Sequence, residues 1–277
     1  MTRYGGIWMC IYDEIKSKEH EEYLRKAKRE KFIVVFSRIA ILFAFLILWE
    51  VSARFGFINH FISSSPSRIF KTIVELISTD SLYNHLFVTT FETMTGFILG
   101  TVLGTLIAML LWWSERFAKI MDPYLVVLNA LPKVALGPVI IVWAGAGMGS
   151  ILIMTLAISI IATIIGVYSG FMQIPEEKIV LLKTFNATKM QIFTKAVFPS
   201  SIKNIINALK INVGLSWVGV IMGEFLVSKE GLGYLIVYGS QVFNLDLVMA
   251  GVVILSVVAG FMYFLVSYLE KKVIKYD

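Results

Sequence analysis

Six stretches of this chain are long and apolar enough to cross a lipid bilayer, and that restricts its fold more than any other feature. A helix needs roughly 20 mainly apolar residues to span the hydrocarbon. Residues 34–53, 88–113, 123–145, 150–171, 208–228 and 247–268 each meet that need. Inside lipid every backbone N–H and C=O must be satisfied within the protein, a condition the helix meets by itself. The expected fold is therefore an all-α integral membrane protein with six transmembrane helices. Composition agrees: 57% of the 277 residues are hydrophobic and only 16% charged, too few polar groups to cover a soluble domain of this size. The first stretch follows the charged run DEIKSKEHEEYLRKAKREK, and no small-residue cleavage site lies close behind it, so it reads as a span and not as a cleaved leader.

Lys and Arg set an orientation. Residues 1–33, 114–122, 172–210 and 269–277 carry eight, two, six and three of them. The alternate segments 54–87, 146–149 and 229–246 carry three, none and one. The bias puts both ends, and the segment 172–210, in the cytoplasm. The net charge of +6 then reflects topology, with no nucleic-acid partner implied. Residues 13–31 read as a solvated helix, with Glu22 and Lys26 at i,i+4 spacing, anchored on the inner surface. Segment 54–87 holds SSSPS around Pro66, then an amphipathic run from Ile69 to Ile77 expected to lie along the outer surface.

Little here supports catalysis. Cys10 is the only cysteine, and His20, His60 and His85 are scattered without a metal-binding spacing. Neither a G-x-x-x-x-G-K-[ST] loop nor a G-x-S-x-G elbow occurs. The chain is expected to be no enzyme, to hold no metal or cofactor, and not to bind ATP through a P-loop.

The segment PEEKIVLLKTFNATKMQIFTKAVFPSSIKNIINALK, residues 175–210, is polar but strongly ordered. Pro175 followed by Glu176 and Glu177 suits a helix start, with carboxylates at the positive end of the dipole. Leu181, Leu182 and Phe185 form an apolar stripe, and Asn186 suits a left-handed turn. Thr188 with Gln191 makes a capping box, and Ile192, Phe193, Ala196 and Val197 form the apolar face of the helix it starts. Pro199 is expected to stop that helix at Phe198, with Ser200 or Ser201 capping the next one. Two readings stand: a platform that a soluble partner grips, or a loop lying on anionic lipid, which would account for Lys178, Lys183, Lys189, Lys195 and Lys203.

Within the spans, Gly96, Gly100 and Gly104 make a tandem GxxxG, and Gly219 and Gly223 another, for helix packing or for a contact between copies. Pro132, Gly137 and Pro138 break the third span, as a packed kink or as the lining of a cavity. Lys133 and Glu224 are ionisable, and at mid-bilayer a charge costs about 2.5–3.5 kcal/mol unless it finds water, a partner or the interface. Lys133 either snorkels or lines a pathway. Glu224 either sits at the outer interface or lines that pathway.

The stretches Thr184-Phe185-Asn186-Ala187-Thr188, Val197-Phe198-Pro199, Gly231-Leu232-Gly233-Tyr234-Leu235-Ile236 and LNALPKVALGPVIIVWAGAG (128–147) together resemble the type I (MetI-like) permeases of bacterial ATP-binding-cassette (ABC) importers, in their nitrate/sulfonate/taurine-type branch. Coverage is about residues 60–268, with Val180 at the family's loop glutamate, Asn186 at its glycine, and Glu92 where many relatives are basic. The resemblance implies a permease domain over 34–268, preceded by a cytoplasmic segment 1–33 and followed by a tail 269–277. It implies a coupling helix between spans four and five, in which Leu181, Leu182, Phe185, Asn186, Ala187, Thr188, Gln191 and Pro199 contact a separate pair of ATPase subunits. It further implies an extracellular or periplasmic solute-binding protein, a second permease copy in a homodimer, and a pathway for a small polar solute (an anion or a vitamin precursor) bordered by Pro132, Lys133, Trp217 and Glu224. The expected location is the bacterial inner membrane, in contact with lipid. The alternative class is a carrier or channel driven by an ion gradient. Such proteins often show inverted repeats and several intramembrane charges, whereas no repeat and only Lys133 and Glu224 are found here.

Overall fold

The computed structural model describes residues 5–56 and 64–273, with side chains from residue 23 onward. His60 and the end of the 269–277 tail lie outside the described residues, as do the side chains of Cys10, His20 and Glu22. All regular structure among the described residues is helical. The chain divides into two compact units, residues 1–67 and 68–277.

In the first unit, α1 (Gly5–Arg54) runs for 50 residues without a break. In its apolar second half Phe36, Ile41, Phe43 and Leu48 are all exposed. A helix that is apolar on every side suits lipid. Arg54 in the last turn offsets the negative end of the dipole and bonds Glu50 at 2.8 Å.

The second unit contains the remaining helices: α2 (Pro66–Ser78), α3 (Ser81–Trp113), α4 (Glu115–Ala130), α5 (Gly137–Ala144), α6 (Met148–Met172), α7 (Glu176–Thr184), α8 (Lys189–Ile192), α9 (Phe198–Val227), α10 (Leu232–Gln241) and α11 (Leu245–Val273). Four of the expected spans are the long helices α3, α6, α9 and α11, and a fifth is α1. The sixth is not one helix. A 3-10 turn at Lys133–Leu136 joins α4 to α5 at a bend of 86°. Leu131 before Pro132 is extended (ψ 137°), as a residue preceding proline prefers, and this breaks the run. α2 turns Ile73 and Leu76 onto Leu82, Leu232 and Leu235 and buries Ile69, while Lys71 and Glu75 remain exposed.

At the centre, α3 and α9 both pack on α6, and glycine governs the approach. A Cβ added at Gly96 would lie 2.6 Å from Thr155 Cγ2, one at Gly100 2.8 Å from Ser159 Oγ, and one at Gly104 2.8 Å from Thr163 Cγ2. The partners advance by four in step with the glycines, so α3 and α6 run in the same direction. Against α9 the order reverses: Gly219 faces Thr155, Gly223 faces Ile151, and Ala208 faces Gly166. Two neighbours parallel and the third opposed is the arrangement that alternating crossings of one membrane require. With no solvent-driven force between helices in lipid, this close backbone contact supplies the packing energy. The two threonines on α6 spend their hydroxyls on their own helix, Thr155 on Ile151 O (2.8 Å) and Thr163 on Ser159 O (3.0 Å).

Gly219→Ala puts a methyl 2.6 Å from Thr155 Cα, an atom that cannot rotate away. The variant is expected to lose about 1–3 kcal/mol of stability, read by thermal unfolding of the purified protein in detergent. Gly214, on the same helix, has nothing within 4 Å of such a methyl, so Gly214→Ala should match or exceed the parent.

Candidate functional site

Residues 173–199 fold into a fixed handle at one end of the bundle. α7 starts after Pro175 with Glu176 and Glu177 in its first turn and Lys183 in its last. It closes by a Schellman pattern: Asn186 adopts φ 54°, its N–H bonds Lys183 O (2.9 Å), and the Ala187 N–H reaches Leu182 O (3.1 Å). Thr188 then accepts from the Gln191 N–H at 3.3 Å, while Gln191 Oε1 accepts from the Thr188 N–H at 2.8 Å. The N–H groups of Asn186, Ala187, Thr188 and Gln191 are thus all bonded within six residues, which stiffens the handle.

The apolar residues of the handle divide between two faces. Ile179, Leu182, Ala187, Ile192, Phe193 and Val197 pack on the bundle. Val180, Leu181, Phe185 and Met190 are exposed, Phe185 to 76%, and Val180 also lines the cavity beside the bundle. Lys189, a lipid contact in one of the two readings of this segment, donates its Nζ to Trp113 O (2.7 Å) and sits 5.6 Å from the Trp112 ring centre. It thereby bonds a carbonyl in the last turn of α3 and ties the handle to that span. Beside this tie, a cavity of about 640 Å³ opens among Trp112, Glu115, Tyr168, Lys183 and Lys189.

Two expectations about Pro199 are corrected. The helix does not stop there: Phe198 is helical (φ −60°, ψ −50°), and Lys189–Val227 is one continuous helix of 39 residues. A π turn at Phe193–Val197 explains this. Pro199 brings no N–H, and in a regular α-helix its ring would crowd the carbonyl four residues back. The wider turn, in which Phe198 N–H bonds Phe193 O, relieves both defects. Ser201 is likewise no cap: its Oγ donates to Val197 O (2.7 Å) and to Gly170 O on α6 (3.1 Å).

The four residues expected along a pathway do not meet in one place. Pro132 is exposed at the bend between α4 and α5. Lys133 beside it donates to Asn129 O (3.1 Å), a carbonyl that the broken helix leaves without its usual donor. Trp217 is buried among Val213, Met262 and Phe97. Glu224 is 1% exposed in this chain. It accepts from Thr89 Oγ1 (2.6 Å) and from the Gly233 N–H (2.5 Å), with the Glu92 carboxyl beside it. Glu92 is itself buried, and its Oε2 has no hydrogen-bond partner among the described residues.

Sequence reasoning missed His85 and Thr89. The Gly231 N–H donates to His85 Nδ1 (2.9 Å) and the Leu232 N–H to Thr89 Oγ1 (2.7 Å). Their spacing on α3, at 85 and 89, with Glu92 and Thr93 one turn on, was a visible polar stripe on an apolar span. Nothing local said what it faced.

Comparison with known proteins gives a consistent picture. The family described as "Binding-protein-dependent transport system inner membrane component" matches residues 100–275. The formylaminopyrimidine transport permease protein ThiX of Halalkalibacterium halodurans is 31% identical over 190 residues, 68% of this chain and 75% of that protein. The aliphatic sulfonates transport permease SsuC of Bacillus subtilis is 26% identical over 259 residues, 94% of each chain. Among solved structures, the MetNI methionine ABC transporter in an inward-facing conformation superposes with a TM-score of 0.61 at 18% identity, covering 68% of this chain and 94% of that one. At that identity the likeness concerns the fold.

Thr188→Ala removes one side of the capping box and is expected to cost about 1 kcal/mol. Hydrogen exchange of the membrane-embedded protein should show faster exchange over residues 186–192, with α3 and α6 unchanged.

Proposed function

The chain belongs to the family of binding-protein-dependent transport system inner membrane components, and we propose that it is the subunit through which ATP hydrolysis on separate partners drives a small polar solute inward. As a member of that family it is a type I ABC importer permease: a multi-pass protein of the plasma membrane whose business is transport and not catalysis. Such permeases work in general with an ATPase and a substrate-binding protein.

The observation that carries the finer reading is the divided handle. Its inner face is bonded and packed onto the spans, while Val180, Leu181, Phe185 and Met190 form an exposed apolar face on a capped, stiff support. A loop that merely rested on lipid would have no need of the Schellman closure, the capping box and the Lys189 tie together. We assign to this face the docking of a paired ATPase, with Leu181 and Phe185 as anchors. Leu182, Asn186, Ala187, Thr188, Gln191 and Pro199 give the handle its shape. The handle then lies in the cytoplasm, as the Lys/Arg bias favours, together with both ends of the chain.

Two copies of the chain would enclose the pathway, with the bend at Pro132 and Lys133 facing it. Trp217 and Glu224, inside the protein, support its wall. Solute would arrive on a binding protein outside and pass as the pair rocks between two states. The substrate class proposed is a small anion or a vitamin precursor. It draws on relatives named for sulfonates and for a formylaminopyrimidine. The domain division follows: residues 34–268 as the permease body, flanked by segments 1–33 and 269–277.

Phe185→Asp places a charge in the centre of the proposed docking face without touching the bundle, since that side chain is 76% exposed. Loss of one buried aromatic anchor costs about 2 kcal/mol, roughly thirtyfold in affinity. Co-purification of the native complex should therefore lose the ATPase, while the amount of chain inserted in the membrane stays unchanged. Full ATPase recovery with Phe185→Asp would rule out this docking face.

A further inference from the structure

The start of α10 has an unusual property: three of its four free backbone donors are received by side chains from other spans. A helix leaves its first four N–H groups without intrahelical partners, and ordinarily a Ser, Thr, Asp or Asn at the cap satisfies one of them. Here the capping residue is Gly231, which has no side chain. Its N–H donates to His85 on α3 (2.9 Å). The Leu232 N–H donates to Thr89 on α3 (2.7 Å), and the Gly233 N–H to Glu224 on α9 (2.5 Å). Thr89 passes its own hydroxyl proton to Glu224 (2.6 Å), so the acceptors are themselves joined.

The cradle is closed to other occupants. Gly231 stands at φ 107°, a conformation that side-chain-bearing residues rarely adopt. A Cβ at Gly233 would lie 2.6 Å from Glu224 Oε2, and one at Gly231 2.6 Å from the same oxygen. Glu224 thus fills the anion-binding position that a helix N-terminus offers, and fills it from a different helix. The His85 ring also stacks on Tyr234, one turn into α10, at 6.0 Å between centres.

We infer that His85, Thr89 and Glu224 form a clamp that makes α10 a fixed part of the α3–α9 body, and that Glu224 is a positioning residue and not a solute ligand. If α10 parted from α3 and α9 within the membrane, three backbone donors would lose their acceptors with no water to replace them. The short helix therefore travels with the two spans and does not swing as a separate flap. The clamp itself needs only this geometry; its part in transport rests on the permease function proposed above.

The test separates acceptor chemistry from volume. In a Cys10→Ser background, Leu235→Cys places a thiol on the buried face of α10, where the native side chain is 6% exposed. Its reaction with a membrane-permeant maleimide, in native membranes carrying the full chain, reports how often α10 lifts. Glu224→Gln keeps a carbonyl acceptor, and labelling should stay slow. Glu224→Met fills the same space without an acceptor, and labelling should quicken by about tenfold or more, as it should in Thr89→Val. Solute uptake should fall with Glu224→Met and be largely retained with Glu224→Gln. Equal, slow labelling in both Glu224 variants with uptake lost in both would overturn the clamp and make Glu224 a solute contact. Should Glu224→Met fail to accumulate, Thr89→Val, which keeps the side-chain shape, decides alone: fast labelling supports the clamp and slow labelling overturns it. Absence of any ATPase partner would defeat the transport reading but leave the labelling result intact.

Discussion

The structure depends on how closely three helices approach one another in lipid. A soluble bundle can tolerate loose packing because water drives its apolar faces together, whereas lipid tails solvate leucine as well as another helix does. Gly96, Gly100, Gly104, Gly219 and Gly223 remove the side chains that would hold α3 and α9 away from α6. The register they set is tight enough that the partner of each glycine is a backbone atom or a short side chain of α6. Once α6 lies between α3 and α9, the ends of those helices carry the handle on one side and the Glu224 cluster on the other.

The same solvent explains the polar residues. Each place where a helix ends or breaks leaves backbone groups unpaired, and the chain supplies a side chain from elsewhere to meet them. Lys133 bonds a carbonyl left by the bend at Pro132, and Lys189 bonds one at the last turn of α3. His85, Thr89 and Glu224 meet the first N–H groups of α10. Ser201 ties α9 to Gly170 of α6. Lys133, Lys189 and Glu224, charges that look anomalous beside apolar spans, thus serve helix ends, whereas Glu92 lies within α3.

What could be read from the sequence was local or periodic. The apolar runs located the C-terminal ends of the spans to within about five residues, but α1 and α9 begin ten or more residues earlier than expected, and proline and glycine located the broken third span. Asn186 and the Thr188–Gln191 pair were legible because a turn and a capping box are defined within six residues. The miss at Pro199 has a different origin: the rule that proline disfavours helix before it is statistical, and a π turn evades it. The destination of Lys189 lay 76 residues away, and those of His85 and Thr89 146 and 143 residues away. No pattern along the chain encodes such meetings, so His85 read as an isolated histidine and Glu92 as a departure from relatives. The packing that buries Trp217 likewise comes from α3 and α11, far away in the sequence.

The correction at Pro199 also joins the two ends of the molecule. Had the helix stopped there, the handle would hang from α9 by a flexible joint. Instead one helix of 39 residues runs from Lys189, within the handle, to Val227, three residues beyond Glu224. At about 1.5 Å per residue it spans roughly 58 Å. Along that length it is fastened three times: by Phe193 and Val197 in the handle's apolar cluster, by Gly219 and Gly223 against α6, and by Glu224 at α10. A push on the exposed face of the handle would act on a rod already bonded at its far end to the helix it has to move. The π turn keeps the rod continuous at its only proline, so the local defect that sequence rules flagged as a break is what allows a single element to reach from handle to clamp.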